Sequence, residues 1–163
     1  MLFSIILSAV FVTAAMTAPA SLDGRGDEDC VPISYTISNY KLVTSPTSGS
    51  VDFTFKSFFP MANVDDPVQA GAHCSGSGAS VPNNNECQVS NRRLLFDLRG
   101  PQDQAYYQIS HSWTCFGNQW MSGNAVKVDS LDCHNEGDER VCTSGPQTFA
   151  PQNVRKICNL PQC

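Results

Sequence analysis

Residues 106–115 read YYQISHSWTC, and apolar or aromatic side chains alternate there with small polar ones. One face carries Tyr107, Ile109, His111, Trp113 and Cys115. A period of two is typical of a β-strand with one buried face. Residues 33–37, 51–55 and 94–98 repeat the alternation. Strands are therefore the dominant element that the sequence predicts.

Turn-forming residues separate these segments. The stretch 44–50, TSPTSGS, lies between two alternating segments and predicts a β-hairpin. Residues 60–86 are rich in Pro, Gly and Asn, and we expect a long irregular region there. Val126 and Val128 mark a further strand, 132–140 a polar loop and 149–157 an edge strand. We predict an all-β fold, an antiparallel barrel or sandwich of roughly seven to ten short strands stapled by disulfides.

The N-terminal segment has the features of a secretory signal peptide. Residues 2–13 are apolar apart from two serines, and Ala18-Pro19-Ala20 supplies an A-x-A cleavage site. The apolar run is shorter than the roughly 20 residues that span a bilayer. We therefore expect a signal peptide at 1–20, a flexible acidic leader at 21–29, one β domain at 30–163, and an extracellular product.

The charge distribution excludes some classes of partner. The formal charge is −5, and residues 23–29 hold four carboxylates against one arginine. The rest of the chain is close to neutral and has no basic stripe, so we expect it to bind neither nucleic acid nor an anionic membrane surface.

The cysteines indicate a disulfide framework. All eight follow the expected cleavage site, and an even number in an exported chain is typical of bridged domains. Because short loops cost least to close, we expect Cys74–Cys87, Cys133–Cys142 and Cys158–Cys163. Cys30 then remains for Cys115, or alternatively for an intermolecular bond.

Catalytic candidates centre on His111, since a neutral imidazole can act as an acid or a base near pH 7. With two of the glutamates Glu28, Glu86, Glu136 and Glu139 it would suit a small secreted hydrolase. A buried, hydrogen-bonded histidine is the commoner arrangement. The chain has no G-x-S-x-G elbow, Gly76-Ser77-Gly78 falls in the irregular region, and oxidised cysteines are not nucleophiles. The sequence thus favours a protein that is not an enzyme.

Metal and cofactor sites are weakly indicated. Asp132, Glu136, Asp138 and Glu139 place four carboxylates in one short segment, but their spacing is not that of a calcium-binding EF-hand. We interpret the segment as a solvated loop and expect no metal and no cofactor.

Candidate binding residues are aromatic or apolar. Trp120 and Met121, in a glycine-flanked stretch expected to be a turn, would anchor a partner if exposed, although Trp120 is equally suited to capping one end of the fold. Tyr107 and Trp113 would line a pocket if the barrel were open. Arg25-Gly26-Asp27 matches an integrin-binding tripeptide, and an acidic solubilising segment is its plainer interpretation.

The order of strands and cysteines resembles the fungal AA1-like family, typified by the Alternaria major allergen. The resemblance spans 30–154 and leaves Cys158 and Cys163 outside the pattern. It rests on Cys30 before the first strand, VDFTF at 51–55, Cys74 and Cys87 around a polar loop, LLFDL at 94–98, HSWTCFG at 111–117, and Cys133 followed by Cys142.

The resemblance implies a secreted β-barrel with local disulfides and, in some members, a homodimer through a cysteine at the position of Cys30. It implies an elicitor, allergen or virulence effector that binds a plant defence protein or a small phenolic ligand. We therefore expect a non-catalytic protein that binds a host extracellular protein through surface loops. A small-molecule-binding barrel, or a hydrolase using His111, is the alternative.

Overall fold

The computed structural model describes residues 27–157. The expected signal peptide, most of the acidic leader and the expected Cys158–Cys163 bridge lie outside the described residues. Within 27–157 the chain forms twelve β-strands and four short 3-10 helices, with no α-helix. The all-β class is confirmed, and the strand number exceeds the expected seven to ten because several strands span only two or three residues. No helix in this part of the chain has the length and apolarity to cross a membrane.

The strands form two antiparallel sheets. In chain order they are β1 (Ser34–Thr44), β2 (Gly49–Phe58), β3 (Val64–Asp65), β4 (Ala72–Gly78), β5 (Asn85–Glu86), β6 (Leu94–Arg99), β7 (Tyr106–Cys115), β8 (Asn118–Lys127), β9 (Asp132–Glu136), β10 (Glu139–Ser144), β11 (Gln147–Phe149) and β12 (Arg155–Ile157). The first sheet has the order β4-β2-β1-β10-β9, with β11 also paired to β1. The second has the order β12-β8-β7-β6-β5, with β3 also paired to β7. The two described sheets do not close on each other, so the fold is a sandwich rather than a barrel.

The core lies between the two sheets, where inward-facing aromatic rings interdigitate. Phe53 on β2 packs against Phe96 on β6 with ring centroids 5.0 Å apart, and Tyr40 on β1 packs against Tyr107 on β7 at 6.1 Å. Burying each such ring contributes roughly 2–3 kcal/mol. The whole predicted inner face of β7 is buried, which confirms the interpretation of residues 106–115.

A second, smaller cluster closes one end of the sandwich. It consists of Cys30, Phe59, Val64, Trp113, Cys115 and Trp120. The Cys30–Cys115 disulfide, with a Cα–Cα distance of 5.7 Å, holds the residues before β1 against the end of β7. We call this region the Cys30 end.

Three disulfides connect the described residues: Cys74–Cys87 and Cys133–Cys142 match the pairings expected from loop length, and Cys30–Cys115 matches the pairing that remained. Cys30–Cys115 and Cys74–Cys87 join the two sheets, whereas Cys133–Cys142 links neighbouring strands β9 and β10. In the structure Cys30 is bonded to Cys115 of the same chain, so it does not form the alternative intermolecular disulfide.

Four local expectations were wrong. Residues 149–157, expected to be one edge strand, contain the end of β11 and all of β12, which lie in different sheets. Residues 72–78, expected to be irregular, form β4 and pair with β2. Its Gly and Ser residues hide the alternation, and a Cβ at Gly76 would lie 2.7 Å from the Asn85 side chain. Trp120 and Met121 lie in β8, opposite Trp113 and Ser112, rather than in a turn. Residues 132–140 are a β9–β10 hairpin rather than a loop.

Candidate functional site

His111 lies at the centre of a buried polar network between the two sheets. Its Nε2 is 3.1 Å from Asp66 Oδ1, and its Nδ1 is 3.1 Å from the Tyr35 hydroxyl. Asp66 Oδ1 also accepts from the Val68 amide at 2.9 Å, and Asp66 Oδ2 accepts from the Ser57 hydroxyl at 2.5 Å. The carboxylate therefore has three donors, and it joins the residues before Pro67 to β2 and β7.

The network continues along the other side of the imidazole. The Tyr35 hydroxyl is 2.8 Å from Ser122 Oγ, and the Asn124 amide group donates to Ser122 Oγ at 3.0 Å. Because an amide NH₂ can only donate, Ser122 is free to donate to Tyr35 and Tyr35 to His111 Nδ1. His111 Nε2–H then donates to Asp66. Each member has a partner, which is the condition for a buried polar network to stabilise a fold.

The electrostatics follow from this geometry. Burial alone would raise the pKa of Asp66, but hydrogen bonds from His111, Ser57 and Val68 lower that pKa below its usual value. Burial raises the pKa of the Tyr35 phenol well above its ordinary value, against the effect of Ser122. Tyr35 therefore stays a neutral hydroxyl.

The order Asp66, His111, Tyr35 has the chemical form of an acid–base relay, but the relay is closed to solvent. The side chains of His111 and Asp66 are each 0% exposed. The imidazole is stacked on Trp113 with centroids 5.0 Å apart, and the Phe55 ring lies 6.3 Å away. In this conformation a solute cannot contact the side-chain atoms of His111 and Asp66.

The glutamates expected to assist His111 lie elsewhere. Glu86 is 3.4 Å from Arg92, and Glu136 is 2.8 Å from His134. Glu28 and Glu139 are exposed. The acid that does reach His111, Asp66, was not among the sequence candidates, although an Asp before Pro that caps the next turn is a recognisable signal. No group of three or more metal-ligating side chains occurs within 27–157.

Three of the four predicted binding residues are buried. Tyr107 donates to or accepts from Tyr40 through hydroxyls 2.7 Å apart, and Trp113 donates its indole N–H to the Cys30 carbonyl at 2.9 Å. Trp120 is 5% exposed and belongs to the cluster at the Cys30 end, which matches the capping alternative. Met121 differs: it lines a surface groove of about 140 Å³ together with Leu95 and Ile157.

Four of the five exposed large apolar side chains within 27–157 lie at the Cys30 end. Ile33 donates its amide to the Phe58 carbonyl, so these two lie side by side where β1 begins and β2 ends. Phe116 follows Cys115, which is bonded to Cys30. Ile157 is opposite Gln119, next to the β7–β8 turn. We call Ile33, Phe58, Phe116 and Ile157 the apolar end; their exposed fractions are 54%, 57%, 55% and 38%.

A larger groove of about 400 Å³ crosses the outer face of the first sheet. Lys41, Asp52 and serines of β2 and β4 line it. Asp52 Oδ2 is paired with His73 Nε2 at 2.6 Å, and both side chains are about half exposed. The groove is polar and shallow, and its charged groups are already paired or solvated.

Comparison with protein-family models, with curated proteins and with solved structures finds no match. The AA1-like resemblance remains a prediction.

Proposed function

We propose that the protein is a secreted, non-catalytic effector-like protein that binds a host extracellular protein through the apolar end. The three disulfides suit an oxidising, extracellular setting. The resemblance to AA1-like proteins supports the same class of function. The closed His111 network favours binding over hydrolysis, because its acid–base groups have no route to a substrate.

The backbone conformation and exposure of Phe116 are the observation that supports the proposal. It occupies the first central position of the β7–β8 turn, with φ +48°, and Gly117 follows with φ +74°. Positive φ at both central residues defines a type I′ turn, which favours Asn-Gly. A bulky side chain in this region costs roughly 1–2 kcal/mol. The residue is 55% exposed, so packing offsets that cost only in part.

Stability therefore does not explain the aromatic ring at this turn, whereas recognition does. Exposed aromatic side chains are common anchors in protein interfaces, where they fill pockets on the partner. Ile33 and Phe58 add exposed apolar side chains at the same end of the sandwich, and clustered exposed apolar side chains mark interaction sites. The expected partner surface is an apolar recess.

The Phe116→Asn substitution separates binding from folding. Asn accepts positive φ, so we expect the variant to be as stable as the wild type or more stable by about 1 kcal/mol. Binding to the partner should weaken at least tenfold, because a central aromatic anchor contributes about 2 kcal/mol or more. Tyr106→Asn is the matched control, since Tyr106 is an exposed aromatic at the opposite end of β7.

The experiment uses the oxidised, processed protein as bait in plant apoplastic fluid, followed by calorimetry with the purified partner. Wild type and Tyr106→Asn should retain the same partner, and Phe116→Asn should lose it while keeping its melting temperature. Equal affinity of Phe116→Asn and wild type would refute the proposed surface. Hydrolysis of a substrate that His111→Ala abolishes, without a specific partner, would refute the non-catalytic function.

A further inference from the structure

Strand β9 is a free edge of the first sheet. It pairs with β10 on one side, and among residues 27–157 no other strand lies beside it. The opposite edge strand, β4, is partly covered: the Gln88 amide donates to the His73 carbonyl, and Cys87 is bonded to Cys74. A free edge offers backbone groups to which another extended segment can bond.

The register identifies which backbone groups of β9 point outward. Cys133 is opposite Cys142, with a Cα–Cα distance of 4.1 Å, as in a non-hydrogen-bonded antiparallel pair. The two-residue turn at Gly137 and Asp138 makes Glu136 and Glu139 a hydrogen-bonded pair, which gives the same alternation. The N–H and C=O groups of Cys133 and Asn135 therefore point away from β10.

The side chains around this edge are acidic. Asp132, His134 and Glu136 share one face of β9 and are exposed. Asp138 lies in the turn and Glu139 begins β10, and the one Lys or Arg side chain of the hairpin, that of Arg140, is 3.8 Å from Asp103. Antiparallel pairing with a second copy in the register centred on His134, which would use both outward residues at once, is disfavoured because it sets Asp132 opposite Glu136 of the other copy. Like charges directly opposite are destabilising.

We propose that β9 binds an extended basic segment of a partner protein as an added antiparallel strand. Cys133 and Asn135 supply the main-chain hydrogen bonds, and Asp132 and Glu136 face lysine or arginine side chains of the segment. The site lies away from the apolar end, because β10 meets β1 at Thr44, the end of β1 farthest from Ile33. It goes beyond the proposed function as a second, independent surface.

A proline test separates this role from ordinary protection of an edge by charge. Asn135→Pro removes the outward N–H and leaves the β9–β10 ladder intact, since proline is tolerated where an edge amide faces solvent. Asn135→Ala is the matched control that keeps the N–H. The probe is a short peptide of alternating lysine and valine, with a glutamate–valine peptide for comparison.

Binding is measured by fluorescence anisotropy, and the site by hydrogen exchange at the Cys133 and Asn135 amides. The lysine peptide should bind the wild type and Asn135→Ala alike and slow exchange at both amides of the wild type. Affinity should fall about tenfold in Asn135→Pro and again when Glu136→Lys replaces one carboxylate. The glutamate peptide should not bind.

The proposal is overturned if neither amide is protected, if the glutamate peptide binds equally well, or if light scattering shows a dimer that Glu136→Lys alters. If Asn135→Pro fails to form the Cys133–Cys142 bridge, the expected loss of peptide affinity in Glu136→Lys tests the proposal instead. Phe116→Asn should leave peptide binding unchanged, so failure of this proposal and failure of the proposed function are distinguishable.

Discussion

Removing the Asp66 carboxylate is the sharpest test of the buried network. In Asp66→Ala, three donors lose their acceptor: His111 Nε2–H, the Ser57 hydroxyl and the Val68 amide. Each unsatisfied buried donor costs about 1–3 kcal/mol. We expect a loss of about 4 kcal/mol, which lowers the melting temperature by roughly 10–20 °C.

The control for this experiment is the adjacent residue. Asp65 is also paired, with Arg93 at 3.0 Å, but its side chain is 72% exposed. The Arg93 side chain is 14% exposed, but in Asp65→Ala it keeps its hydrogen bond to the backbone carbonyl of residue 65, so we expect a loss of about 1 kcal/mol and a shift in melting temperature of only a few degrees. Thermal and urea unfolding followed by tryptophan fluorescence measure both variants.

The same variant gives a pH dependence with a defined sign. The pKa of Asp66 is lowered in the folded state, so its stabilising contribution is complete above the unfolded value of about 3.9 and is lost as the pH falls through the folded pKa. The difference between wild type and Asp66→Ala should therefore shrink as the pH falls below about 4. Equal losses for Asp65→Ala and Asp66→Ala, or a gap that grows in acid, would refute the reasoning.

Two further predictions concern covalent links and packing. The Cys30–Cys115 bond closes a loop of 85 residues, and replacing both of its cysteines should lower the free energy of urea unfolding by about 4–5 kcal/mol. The Cys133–Cys142 bond closes a loop of 9, so its removal should cost about 2–3 kcal/mol. The reverse order would contradict the loop-entropy argument. Gly76→Ala should cost about 1–3 kcal/mol in thermal unfolding because its Cβ would lie 2.7 Å from Asn85 Oδ1. Gly145→Ala, with no atom within 4 Å, should be nearly neutral, and equal effects of the two would contradict the packing argument.

The parts of the fold that the sequence predicts are those in which local pattern and packing agree. The β1–β2 hairpin and the inner face of β7 follow from alternation alone, since one face of each is apolar and buried. Cys74–Cys87 and Cys133–Cys142 follow from the low cost of short loops, whereas the sequence left Cys30 open between Cys115 and an intermolecular bond.

The sequence misses strands whose inward positions are not apolar. On β8, Ser122 and Asn124 point inward and are 0% exposed, because they extend the hydrogen-bond chain from His111. Their polarity makes β8 look like a turn. The acid of the network is missed for a different reason: Asp66 and His111 are 45 residues apart, and no spacing rule connects them.

The Cys30–Cys115 disulfide determines what happens to the protein after proteolytic cleavage. Cleavage of any peptide bond between these two cysteines yields two fragments that the bridge still holds together. A clip at the exposed asparagines before Glu86 is bridged twice, because it also falls between Cys74 and Cys87. In non-reducing gel electrophoresis a nicked molecule would therefore migrate as an intact chain until a reductant is added. The same bridges would keep its two fragments linked.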